Sequence, residues 1–329
     1  MKRALVVGVD HYPSASLNGC VSDAKAIAGL LERHGDGSPN FSVRLLTSDA
    51  EQVTRAALAD AIGDLFKGDA DTALLFFAGH GIINSDTNVG HLVAQDGNKG
   101  AWGYSLTDLL SVANAAYPRI KATVIVLDSC NSGFAGEIAA LGSGSVSAIG
   151  QGITILTACH RNGTAAENKG RGVFTDMLLD ALNGSAADVC GRITPASVYS
   201  HVDQTLGPWE QRPIYKANVQ TFITLRQVDP KIPLEVLRRL PTYFPDPSYQ
   251  FPLDPSYEPD RQNVPAQFQT LPRDPGHERI FKELQMCNRH GLVVPVDAEH
   301  LYYAAIGSTS CRLTALGAHY RQLAAMGRI

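Results

Sequence analysis

The chain opens on an unbroken apolar run at residues 4–9, the pattern of a strand buried on both faces of a sheet. Similar runs recur at residues 71–77, 122–127 and 152–157, with a shorter one at 42–46. Between them the spacing of apolar positions changes. In residues 23–34, Ala24, Ile27, Ala28, Leu30 and Leu31 fall on one helical face. Residues 51–66, 105–116 and 174–182 are read as helices too. Thr194 followed by Pro195 predicts a helix over 194–206, with threonine as N-cap and proline in the first turn. Residues 222–225 are expected to form the last strand. Buried strands alternating with amphipathic helices predict an α/β domain, a mostly parallel sheet with helices on both faces.

The pattern breaks at residue 229. Prolines recur from there to residue 275, and Asp246-Pro247-Ser248-Tyr249 is repeated as Asp254-Pro255-Ser256-Tyr257. Proline removes a backbone donor and disfavours both helix and central strand. The segment is read as a Pro-rich linker, either extended across the first domain with its tyrosines as anchors or disordered. A compact pattern returns after it. Ile280, Leu284, Met286 and Cys287 suit a helix ending near Gly291, followed by strands at 292–296 and 301–305 and a helix at 313–326. The expected organisation is a domain over 1–228, a linker over 229–275 and a small α+β, winged-helix-like module over 276–329.

With 44% apolar and 18% charged residues, 329 residues can bury a core without disulfide or metal staples. A net charge of −4 without a long basic run argues against nucleic acid or an anionic membrane as partner. The cysteines are Cys20, Cys130, Cys159, Cys190, Cys287 and Cys311. None forms a C-x-x-C pair, so neither a zinc ribbon nor a secreted disulfide framework is indicated. The opening apolar run is interrupted at Asp10, too short for a signal sequence, and no run reaches transmembrane length. A soluble cytoplasmic chain is expected. The carboxylates show no metal-loop spacing, and no metal or cofactor is expected. His11, His34 and His91 are read as incidental.

Two strand ends carry candidate chemistry: Leu74-Leu75-Phe76-Phe77-Ala78-Gly79-His80-Gly81 and Val124-Ile125-Val126-Leu127-Asp128-Ser129-Cys130-Asn131-Ser132-Gly133. In each, a buried strand runs into small residues and one reactive side chain. Ligands bind at the carboxyl ends of strands in parallel α/β sheets, and neighbouring strands lie about 4.8 Å apart. His80 and Cys130 can therefore meet across a cleft, with His80 generating the thiolate. Taken alone, such a histidine is more often a hydrogen-bonded loop residue and such a cysteine an inert thiol.

These residues resemble the caspase-like cysteine peptidases, and the metacaspase branch more than the animal caspases. The resemblance also rests on Ala4-Leu5-Val6-Val7-Gly8-Val9, Leu17-Asn18-Gly19-Cys20-Val21-Ser22-Asp23-Ala24, Thr157-Ala158-Cys159 with Ala166-Glu167, and Gly172-Val173-Phe174-Thr175. It runs from the first residues to about Leu225 and leaves the rest of the chain outside. It implies a catalytic dyad of Cys130 as nucleophile and His80 as general base and acid. The N–H groups of Gly81 and Cys130 would form the oxyanion hole. Asp23 and Asp128, with Cys20 beside the first, would form an acidic pocket for an arginine or lysine before the scissile bond. Without the resemblance, Asp23 reads as a helix N-cap and Asp128 as a cap or loop carboxylate.

Two departures stand out: Ala78, where many relatives carry serine or another polar residue, and Asn131, where many carry histidine. The segment 131–151, where many caspase-like enzymes are cut, holds no lysine or arginine. The expectation is a latent single chain acting on protein or peptide substrates, switched on by an upstream protease or a regulatory protein. Size and family resemblance suggest an effector in a bacterial defence or cell-death pathway. The rival readings are a non-catalytic interaction protein on the same fold and a nucleic-acid-binding regulator using the C-terminal module.

Overall fold

The computed structural model describes residues 1–84, 86–129, 149–158, 167–168, 171–207, 212–260, 266, 269 and 274–329. They divide into two compact units, one of residues 1–187 and 192–229, the other of residues 188–191 and 230–329.

In chain order the first unit contains β1 (Lys2–Gly8), α1 (Cys20–Glu32), β2 (Phe41–Thr47), α2 (Arg55–Leu65) and β3 (Ala70–Ala78). There follow β4 (Gly81–Asn84), β5 (Val89–Asn98), β6 (Ala101–Ser105), α3 (Leu106–Ala116), β7 (Ile120–Asp128) and β8 (Ile153–Thr157). The rest are β9 (Glu167–Asn168), β10 (Arg171–Gly172), α4 (Val173–Asp180), β11 (Arg192–Ile193), α5 (Pro195–Thr205), β12 (Ile214–Asn218) and β13 (Arg226–Gln227). The main sheet has the order β12-β8-β7-β3-β1-β2. It is parallel throughout except for its edge strand β12, which runs antiparallel to β8.

Strand side chains alternate between two apolar layers, as a period of two requires. Leu5, Val7, Leu75, Phe77, Ile125 and Leu127 pack with α2 and α3 on one face. Ala4, Val6, Leu74, Phe76, Val124 and Val126 pack with α1, α4 and α5 on the other. Burying each large aliphatic or aromatic side chain contributes about 1.5–3 kcal/mol. The helix starts follow the sequence: the side chains of Thr54, Ser105 and Thr194 accept from the first turns of α2, α3 and α5.

The structure departs from the sequence reading in three places. Residues 222–225 form no strand; the last strand of the main sheet is β12, a half-buried edge. Residues 81–105 build a three-stranded antiparallel sheet in the order β4-β5-β6, a hairpin array the sequence reading did not foresee. The third departure concerns the second unit, which is formed by α6 (Leu234–Tyr243), β14 (Gln250–Pro252), α7 (Pro275–Arg289), β15 (Val293–Val296), α8 (Leu301–Ile306), β16 (Ser310–Leu313) and α9 (Ala315–Ala325).

Residues 229–275 are thus not simply a linker. Leu237, Leu240, Tyr243, Phe244 and Leu253 are buried in the same core as Phe281, Leu284 and Leu313. The two Asp-Pro-Ser-Tyr repeats build the same local turn, with Asp246 accepting from Ser248 N–H and Asp254 from Ser256 N–H. Residues 301–305 are helical, and the strand paired with β15 is β16. The sheet order is β14-β16-β15. Within this unit Glu283 is buried and held by a two-pronged ion pair with Arg239 (2.8 and 2.9 Å) and by the Tyr243 hydroxyl (2.6 Å). Among the described residues no helix is long and apolar enough to cross a membrane.

Candidate active site

The register of the parallel strands fixes the geometry of the carboxyl edge. Thr47, Gly8, Ala78 and Asp128 form one row across β2, β1, β3 and β7. Beyond it the ladder between β3 and β7 continues through Gly79 N–H to the Asp128 carbonyl at 3.3 Å. His80 is two residues past the row after β3, and in sequence Cys130 follows Asp128, the last residue of β7, by two. Cys130 itself lies outside the described residues, as do Asn131, the segment to residue 148, Cys159 and Ala166. Glu167 lies on β9, paired with β10.

His80 is half-buried. Its ring Nε2 is 2.6 Å from the carbonyl of Ala15. A carbonyl only accepts, so Nε2 carries the hydrogen and the neutral ring has its lone pair on Nδ1. The sequence reading found no group to orient His80. The group is a backbone carbonyl, which no side-chain pattern announces. The loop that supplies it is tied down by Asp10, whose carboxylate accepts from Cys20 N–H (2.9 Å) and Val21 N–H (3.2 Å). Asp10 therefore satisfies the first turn of α1 and suits the positive end of the helix.

Asp23 does not cap α1. The helix begins at Cys20 behind Gly19, whose φ of 121° favours glycine, and Asp23 N–H already bonds to the Gly19 carbonyl at 2.8 Å. The Asp23 side chain is buried, on the helix that covers the Val126 face of the sheet. Asp128 follows Val126 by two residues and faces the same way. It is buried as well, and its Oδ2 accepts a 2.6 Å hydrogen bond from Thr175 Oγ1 on α4. Thr175 belongs to the Gly172-Val173-Phe174-Thr175 motif, but its sequence gave no sign that it touches Asp128. Thr175 thus brings a hydroxyl to Asp128 from α4, while the neighbouring position on β3, Ala78, has none.

Small residues under α1 allow this arrangement. A Cβ at Gly8 would stand 2.4 Å from the Cys20 carbonyl oxygen and 2.7 Å from Ala24 Cβ. Glycine thus lets the first turn of α1 settle on the sheet edge. Cys20 is half-exposed at the start of that turn.

Gly81 opens β4 opposite Leu92. The preceding pair, His80 and Val93, is joined by Val93 N–H donating to the His80 carbonyl at 2.9 Å. Bonded and non-bonded pairs alternate in antiparallel ladders. Gly81 is therefore in a non-bonded pair, and its N–H points away from β5.

The fold and this edge define an α/β domain with a tautomer-fixed histidine and a buried carboxylate on adjoining strand ends. The caspase-domain family model matches residues 1–223, and the chain belongs to that family of cysteine peptidases. Metacaspase-3 of Arabidopsis thaliana is 34% identical over 102 residues, a match covering 29% of this chain and 28% of that protein. The chain thus spans well under a third of that relative's length. The crystal structure of caspase-1 from Spodoptera frugiperda superposes with a TM-score of 0.50 at 15% identity, over 69% of this chain and 90% of that one. The crystal structure of a Geobacter sulfurreducens protein aligns at 20% identity with a TM-score of 0.48, over 70% of this chain and 97% of that one.

Proposed function

We propose that this chain is an endopeptidase that hydrolyses bonds after arginine or lysine through a Cys130–His80 dyad. The observation that carries the reading is the Nε2–H bond to Ala15, which leaves the basic Nδ1 of His80 as the proton acceptor. Nδ1 takes the Cys130 Sγ proton, and the thiolate attacks the scissile carbonyl carbon. The resulting oxyanion accepts from the N–H groups of Gly81 and Cys130. The imidazolium returns its proton to the departing amine as the C–N bond breaks, leaving a thioester. Water, deprotonated by Nδ1, then attacks the thioester and frees the acid and the thiol.

Specificity follows from the two buried carboxylates, Asp23 and Asp128, with Cys20 beside the first. An acidic side chain entering between them is repelled, while a guanidinium pairs with carboxylate oxygens. Activation comes from an upstream protease or a binding partner, because residues 131–151 offer a basic-specific enzyme no self-cleavage site. Any self-cut falls after Lys99, Arg161, Lys169 or Arg171. The second unit serves regulation or docking of a protein partner. A role as a latent effector in bacterial defence or cell death rests on family resemblance.

A positional-scanning fluorogenic peptide library on the purified chain, with and without limited proteolysis, tests the reading. Cleavage after arginine or lysine, absent from Cys130→Ala, is expected. Cleavage after aspartate and none after arginine overturns the pocket assignment. Turnover by Cys130→Ala at the native rate overturns the dyad.

A further inference from the structure

The hairpin strand end that carries His80 contains a substitution in its hydrogen bonding. Val93 N–H donates to the His80 carbonyl, and an antiparallel pair would return the bond from His80 N–H to the Val93 carbonyl. Here a side chain replaces the return bond. His80 N–H donates to the Tyr12 hydroxyl oxygen at 3.0 Å, and Tyr12 O–H donates to the Val93 carbonyl at 3.2 Å. One hydroxyl both accepts and donates, which a phenylalanine cannot do.

The phenol is placed for this role. It is 7% exposed, and its ring centroid is 4.6 Å from that of the His80 imidazole, tilted by 51°. Burial pushes the Tyr12 hydroxyl well above the ordinary tyrosine range, so it remains a donor. Gly79 leaves it room, since a Cβ there would stand 2.6 Å from the hydroxyl oxygen. The same loop reaches the imidazole a second time through the Ala15 carbonyl. It is closed by Leu17 N–H on the Asp10 carbonyl (2.8 Å) and by Ser16 Oγ on the Tyr12 carbonyl (3.2 Å). Tyr12 and Ala15 therefore move together.

We propose that Tyr12 is a positioning residue for His80. Its hydroxyl joins the His80 strand end to the loop 10–17 and so keeps Nε2 on the Ala15 carbonyl and Nδ1 as the base. The inference rests on the assignment of His80 as the catalytic base. The carbonyl contact also stabilises the imidazolium that forms when Nδ1 is protonated. Losing the contact weakens the thiolate–imidazolium pair.

The test uses the full chain with Tyr12→Phe and an arginine-containing fluorogenic peptide. The expected result is a fall in kcat of about 10- to 100-fold, with KM within about twofold. Cys130 is also alkylated with iodoacetamide, where the thiolate displaces iodide to form a thioether. At pH 6, where thiolate formation needs His80 as the base, the alkylation rate is expected to fall by a similar factor. At about pH 9.5 the thiolate forms unassisted, and the rate stays within about twofold of wild type.

Gly79→Ala, which crowds the hydroxyl, is expected to give the same pH signature. In the double variant its effect should shrink but not vanish, because the hydroxyl oxygen is gone while the Phe77 ring still stands 3.0 Å from the added Cβ. Equal losses at both pH values indicate general loosening and overturn the inference. Native kcat and native pH 6 alkylation in Tyr12→Phe, beside an inactive His80→Ala, overturn it while leaving the dyad intact. A fully active His80→Ala overturns dyad and inference together. Should Tyr12→Phe fail to fold, Gly79→Ala alone decides, by the presence or absence of the pH 6 defect.

Discussion

The two ends of the main sheet place charge in opposite settings. At the amino end Asp71 pairs with Lys121 at 2.7 Å and with the Met1 amino group, all in solvent. At the carboxyl end Asp128 is buried against Thr175, and Tyr12 and His80 are held by backbone and loop. Exposed pairs are screened and contribute little. Buried polar groups must be oriented by named donors and acceptors, because leaving them unmet is costly. The contrast shows where a substitution should matter, and it is open to four tests.

The largest effect is expected from Cys130→Ala and His80→Ala. Each should lower peptidase turnover by about three orders of magnitude or more with the circular dichroism spectrum unchanged. Next come Asp128→Asn and Asp23→Asn, expected to lower kcat/KM for arginine substrates by about 10- to 100-fold and to narrow the gap between arginine and neutral residues in the library. An unchanged arginine preference in both would dissolve the pocket assignment.

Thr175→Val removes a hydrogen bond to a carboxylate. It is expected to cost about 1–3 kcal/mol in a urea titration and to raise KM severalfold. The smallest effect is expected at the other end. Lys121 and the amino terminus hold the Asp71 carboxyl down at about 2. Its contribution is therefore present above the unfolded value of about 3.9 and lost as pH falls towards about 2. Asp71→Asn should leave activity untouched and shift the urea midpoint slightly at pH 7. That shift should vanish near pH 2 and shrink in high salt. A large activity loss from Asp71→Asn would break the comparison between the two ends.

The central strands were legible because burial on both faces demands continuous apolar runs, as in Leu74–Phe77 and Val124–Leu127. The hairpin array at 81–105 was not, because the inward positions of β5 are Gly90, Leu92 and Ala94, and two of the three are too small to read as an apolar alternation. Helix α8 was taken for a strand because Leu301-Tyr302-Tyr303-Ala304-Ala305-Ile306 is rich in aromatic side chains, which suit both elements when buried. Helix α6 was hidden by Pro233, which is its N-cap, and by Pro241 in its last turns. At the site, His80, Asp23 and Asp128 were visible as side chains of characteristic motifs. Ala15 was not, because its contribution is a carbonyl. Thr175 and Tyr12 were not, because their roles depend on neighbours far away in sequence.

The chain's path through the second unit has a consequence for its birth on the ribosome. Residues 188–191 belong to that unit although they precede the end of the first. Val189 donates its N–H to the Tyr320 hydroxyl and accepts from Lys231 N–H, and Val189 and Cys190 sit in a core with Ile232 and Leu237. During amino-to-carboxyl synthesis these partners emerge as much as 131 residues later. The partners of Val189 and Cys190 therefore arrive in two stages, Lys231, Ile232 and Leu237 about 40 residues on and Tyr320 only with the last helix, and a chain halted near residue 225 would lack both.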